Sequence, residues 1–102
     1  MKIEAGNWET MWGAEVSLPC DMSRDQLKAT ILYTKNVLKD LAPGEEPTQN
    51  MSEDLKTWLD ANYEPRWHVV IGRNFGAHLV HQKHHYVFFY VHDSIAVLVC
   101  KT

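Results

Sequence analysis

Apolar residues recur at helical spacing early in the chain and alternate with a period of two late in it. Val16 and Leu18 alternate ahead of Pro19, which predicts a short edge strand. Ser23 with Gln26 three residues on is a capping box opening a helix. Leu27, Ile31, Thr34, Leu38 and Leu41 then form one stripe to about Ala42, and "PGEEP" at 43–47 breaks it. A second helix is expected to start between Pro47 and Ser52. It sets Met51, Leu55, Trp58, Leu59 and Tyr63 along one side before Pro65 stops it. Ahead of all this, Trp8, Met11 and Trp12 also have helical spacing, enough for a small apolar patch. Residues 1–13 are therefore set apart as an N-terminal arm from a domain spanning 14–102.

From Trp67 onward β-branched and aromatic residues dominate, predicting strands over 67–71, 75–81, 85–91 and 95–101 with a turn at His92 and Asp93. Both faces of these strands are apolar. Val87, Phe89 and Val91 alternate with Tyr86, Phe88 and Tyr90, and Ile95, Val97 and Val99 alternate with Ala96 and Leu98. Two helices can cover one face. A second apolar face on an antiparallel sheet has to meet something, and in 102 residues only another copy is available. The pattern thus implies an α+β homodimer packed sheet against sheet.

The length allows one compact domain. The net charge of -3 and the scattered Lys and Arg argue against nucleic acid and anionic membrane as partners. Every apolar tract is far shorter than the roughly 20 residues of a membrane helix, and residues 1–13 show no apolar signal region. Cys20 and Cys100 lack CxxC spacing and are read as reduced thiols of a cytosolic chain. His78, His81, His84 and His85 suggest a metal cluster at first sight. His81 and His85, however, flank a turn with no helical carboxylate partner, so they are read as hairpin histidines, with no metal and no cofactor. No GxSxG, P-loop or GxGxxG occurs, and Gly72 and Gly76 are more readily explained by a tight turn or close backbone approach. The chain is not expected to be an enzyme.

The stretch "YEPRWHVVIGRNFGAHLVHQKHHYVFFY" resembles the signature region of the eight-kilodalton dynein light chain family: Trp-His, then Gly-Arg-Asn-Phe-Gly, then a His and an aromatic strand. Asp21-Met22-Ser23 is similar to the family's entry into its first helix, and 95–101 to its last strand. The resemblance runs from about Gly13 to Thr102. It implies two helices on a mostly antiparallel five-stranded sheet, in a homodimer that exchanges the strand after GRNFG. It further implies two grooves at the dimer interface, each gripping an extended peptide by β-augmentation, with the second helix as the opposite wall. Family members are non-catalytic hubs of the cytoplasm and cytoskeleton that dimerise disordered partner segments, the dynein intermediate chain among them.

Carried onto this sequence, the resemblance puts the groove strand at Asn74, Phe75, Gly76, Ala77, His78, Leu79, Val80 and His81, preceded by Arg73. Tyr86, Phe88 and Tyr90 form the floor, and Gln49 stands at the start of the second helix. His68, Phe75, Ala77, His78 and Leu79 fall at the dimer interface. There His68 is expected to be buried against its twin, so that protonating the pair in acid opposes dimerisation. Where relatives carry Ser, Tyr and Thr on the groove strand, this chain has Ala77, His78 and Val80, and Thr48-Gln49 replaces a Glu-Lys pair. Backbone pairing survives such changes, whereas side-chain hydrogen bonds to a Gln-containing peptide do not. The alternative function is a structural dimerising subunit whose altered groove does not take the usual peptides.

Overall fold

The computed structural model describes residues 7–18, 22–73, 86–91 and 95–101. Five strands and two helices follow in the order β1 (Asn7–Met11), β2 (Ala14–Leu18), α1 (Arg24–Val37), α2 (Gln49–Asn62), β3 (Trp67–Arg73), β4 (Tyr86–Val91) and β5 (Ile95–Lys101). The strands form one antiparallel sheet in the order β1-β2-β4-β5-β3.

Helix α1 begins where the capping box places it, with the Gln26 N–H donating to Ser23 Oγ at 3.2 Å. It buries Leu27, Thr30, Ile31 and Thr34 and stops at Leu38, about one turn short of the expected Ala42. The chain tightens there, as the Leu41 N–H donates to the Leu38 carbonyl, so the apolar stripe outlasts the helix that carries it. The two buried threonines are satisfied: Thr34 Oγ1 donates to the Thr30 carbonyl at 2.7 Å, and Thr30 Oγ1 to Met22 Sδ at 3.6 Å. Helix α2 buries Leu55 and Leu59, and it meets α1 where Tyr33 stacks on Trp58 with ring centroids 4.6 Å apart. Tyr33 Oη also donates to Asp54 Oδ1 at 2.6 Å, and this bond, with burial and the carboxylate's charge, raises the phenol pKa above its ordinary value.

Period-two alternation sorts the strands between two faces. Ala14, Val16, Trp67, Val87, Phe89, Val91, Ile95, Val97 and Val99 pack beneath the helices, while Phe88, Ala96 and Leu98 form a second cluster on the outer face. The two-faced apolar sheet expected from the sequence is present. One strand differs, because the fifth member of the described sheet is β1, drawn from the N-terminal arm, while 75–81 lies outside the described residues. The arm therefore contributes a strand where its Trp8, Met11, Trp12 spacing suggested a helical patch.

A two-residue turn at Trp12 (φ 50°) and Gly13 (φ 82°) joins β1 to β2, both in the left-handed region that suits a tight hairpin. Trp12 is an unusual residue for that conformation, and α1 holds it there. Lys35 Nζ donates to its carbonyl at 3.2 Å, and the Arg24 guanidinium lies 5.2 Å from its ring centre. A Cβ at Gly13 would run into Lys35 Nζ. Gly13→Ala is expected to lower unfolding free energy by about 1 kcal/mol or more in urea titrations, through left-handed strain and the disturbed lysine bond.

Asp60 joins α2 to β3: its carboxylate accepts from Lys56 Nζ at 2.6 Å and from the Trp67 N–H at 3.0 Å. The Lys56 bond, more than the Trp67 bond and the charge of Arg66, holds its pKa below the ordinary 3.8. A depressed carboxylate stabilises the fold fully above its unfolded pKa and loses that contribution as pH falls through the folded one. The stability gap between wild type and Asp60→Asn, read from urea midpoints, should be constant from pH 7 to 5 and shrink toward pH 3.

Candidate peptide groove and dimer face

The candidate site is the outer face of the sheet with the strand edge beside it. Alternation along β4 turns Val87, Phe89 and Val91 toward the helices and leaves Phe88 and Tyr90 on the outer face. Their rings meet edge to face with centroids 5.4 Å apart. Phe88 pairs with Leu98 on β5, and Leu98 pairs with Val70 on β3, so one row crosses three strands with apolar side chains. Phe88 is 2% exposed and Leu98 7%, whereas Val70 is 47% exposed. Sequence reading did not single out Val70. An isolated valine in a "VVI" run carries no signal until the register shows which of the three faces outward.

The edge is that of β3. This strand pairs with β5 on one side, and among the described residues no strand pairs with its other side. The Trp67 N–H turns away from β5 to Asp60, so antiparallel alternation also directs the backbone groups of Val69 and Ile71 to that side.

The other expected residues divide between what is described and what is not. Arg73 ends β3 and its Nη2 donates to the Glu45 carbonyl at 3.1 Å, tying the strand end to the 42–47 loop. Glu45 Oε1 in turn accepts from the Ala42 N–H at 2.8 Å. Gln49 is the exposed first residue of α2, next to Thr48, whose side chain makes no capping bond. Tyr86 opens β4 opposite Cys100, and Cys100 is buried. His68 is exposed within the single chain, because alternation sends Trp67 inward beneath the helices and His68 outward, opposite Cys100. Asn74, Phe75, Gly76, Ala77, His78, Leu79, Val80 and His81 lie outside the described residues. So do His84, His85, Cys20 and the His92-Asp93 turn.

Sequence reading named Trp8 as part of a small apolar patch but missed its place on this face. Trp8 stands opposite Ser17, whose small side chain leaves the indole room to reach over β2 onto β4. There its ring centroid lies 5.6 Å from Tyr90 and 6.2 Å from Phe88. The available signal was a Trp-Gly pair between "NWETM" and "AEVSL", a two-residue hairpin turn with an atypical first residue.

Among the described residues no group of three or more His, Cys, Asp or Glu is placed to hold a metal ion, and no helix is long and apolar enough to cross a membrane.

Comparison with known proteins places this architecture. The model of the family described as dynein light chain type 1 matches residues 15–102. The chain is 37% identical over 78 residues to the cytoplasmic dynein light chain 1 of Saccharomyces cerevisiae, covering 76% of this chain and 80% of the yeast protein. Two solved structures of the dynein light chain-like domain of the Fasciola hepatica calcium-binding protein FhCaBP2 share the fold. One has a TM-score of 0.73 at 18% identity, covering 91% of this chain and 95% of that domain; the other, a native crystal, has 0.68 at 19%, covering 83% and 87%. With a family match over all but the first fourteen residues, and the two helices on a five-stranded antiparallel sheet that its structural neighbours share, the chain belongs to the dynein light chain family.

Proposed function

We propose that the protein is a non-catalytic dimeric hub of the cytoplasm and cytoskeleton. It pairs two copies and binds extended segments of partner proteins by β-augmentation, with the dynein intermediate chain and other disordered segments as its partners. The observation that carries this reading is the outer sheet face. Phe88, Ala96 and Leu98 form an apolar cluster there, Val70 remains half exposed, and among the described residues no strand pairs with the other edge of β3. A second copy that lends its 74–81 segment to the β3 edge would cover Val70 and His68. The lent strand's own far edge then offers backbone N–H and C=O groups to a peptide. Family membership supports the same arrangement.

A structural dimerising subunit is the second reading. It is favoured by Ala77, His78 and Val80 on the groove strand and by the Trp8 indole over Phe88 and Tyr90. Calorimetric titration of extended peptides, with and without Thr-Gln-Thr, separates the two. Binding at two sites per dimer supports the hub, and silence from every peptide supports the structural subunit.

If the groove strand carries partner binding, a β-branched residue at Gly76 should obstruct the approaching peptide backbone. Gly76→Val is expected to weaken binding by about 2 kcal/mol or more, with His84→Ala near neutral, in the same titrations. Equal effects of the two substitutions would remove the groove from 74–81.

The interface is tested at His68. Two copies meeting across this face bring the His68 side chains near one another, so a fixed positive charge on each opposes association. His68→Lys is expected to sediment as a monomer at pH 7 where wild type is a dimer. A lysine variant that stays dimeric at micromolar concentration would take His68 out of the interface.

A further inference from the structure

Trp8 precedes the stretch that the family model matches, yet its ring lies on two of the three residues that the groove reading assigns to the floor. We propose that Trp8 is a built-in competitor: an indole tethered by the β1-β2 hairpin that occupies the Phe88 and Tyr90 part of the outer face and is displaced when an extended peptide enters. The inference rests on the groove reading and adds to it the chemistry of the displacing group, a bulky apolar side chain on the peptide that takes over the place of the indole.

The geometry gives the hairpin one fixed end and one releasable end. At the turn, Lys35 holds the Trp12 carbonyl, Arg24 covers the Trp12 ring, and Met11 and Trp12 pack against the main core. Four residues before Trp12, Trp8 is only partly buried and meets Phe88 edge on (64° between planes) and Tyr90 tilted (35°). Among the described residues, the strand carrying it pairs with β2 alone. Lifting the indole breaks its contacts with Phe88 and Tyr90 and leaves the Trp12 anchor in place. A peptide group that covers the same rings recovers what the indole gives up, which is the condition for competition rather than blockade.

The test is calorimetry of the full chain with one extended peptide that carries a bulky apolar side chain next to Thr-Gln-Thr, comparing wild type, Trp8→Thr, Trp8→Tyr and Thr10→Ala. Threonine keeps the strand propensity of position 8 while removing the ring. Trp8→Thr is expected to bind about three- to tenfold more tightly than wild type, the scale of losing a pair of aromatic contacts that the peptide otherwise has to replace. Trp8→Tyr should return toward wild type, and Thr10→Ala, on the same strand with no ring, should match it. Unchanged or weaker binding by Trp8→Thr would overturn the inference and make the indole a structural part of the floor, while leaving the groove reading intact. A wild type that is silent but gains binding in Trp8→Thr supports the competitor outright. Silence from wild type and from a folded Trp8→Thr defeats the groove reading, and the inference falls with it.

Discussion

Strand β5 is buried on both faces, from Ile95 through Cys100, and the rest of the fold answers that constraint. A strand with no polar face needs an apolar layer above and below it and a neighbour on each edge, since an unpaired backbone group costs more there than at the surface. β3 and β4 supply the edges. The helices supply one layer through Leu27, Ile31, Leu38, Leu55 and Leu59. On the opposite face the chain provides Phe88 and Tyr90 with Trp8 above them, while Val70 at the β3 end stays half exposed. Burying a side chain of this size contributes roughly 1.5–3 kcal/mol, so β5 alone accounts for a large share of what holds a domain this small together.

In the proposed reading of 74–81 as the groove strand, the same constraint separates recognition from stability. Stability resides in the alternation of 87–91 and 95–100, whose inward set packs beneath the helices. In that reading Ala77, His78 and Val80 bear on what is recognised more than on whether the chain folds. Arg73 sits at the boundary between the two roles. It ends a core strand, yet its guanidinium reaches the carbonyl of Glu45 in the loop that leads into α2.

Much of this was legible in the sequence because it rests on periodicity. The 3.6-residue stripe of Leu27, Ile31 and Thr34, the Ser23 cap and the two alternating sets of β4 and β5 each follow from a local rule, and each appears in the structure. What escaped depends on partners distant along the chain. Helix α1 ends at Leu38 although Leu41 continues its stripe, because an apolar residue packs against the core from a turn as readily as from a helix. The strand at 7–11 was hidden because Trp8, Met11 and Trp12 satisfy a helical spacing by number alone. The hairpin that overrides it depends on Lys35 and Arg24, more than ten residues away, to hold a tryptophan at positive φ. The outward direction of His68 and Val70 became fixed only when the register with Cys100 and Leu98 was known.

The two ends of the sheet differ in a way that bears on assembly. β1 pairs with β2 along five residues and covers that edge with a strand whose Glu9 and Thr10 are exposed and polar. β3, at the other end, carries Val70 on its outer face and directs the backbone groups of Val69 and Ile71 to a side where no described strand pairs. A polar border strand discourages strand addition, whereas an apolar one with open backbone groups invites it. The N-terminal hairpin thus does two things at once: it closes the edge where an added strand would be unspecific, and it sets an aromatic ring on the face that the opposite edge leaves available.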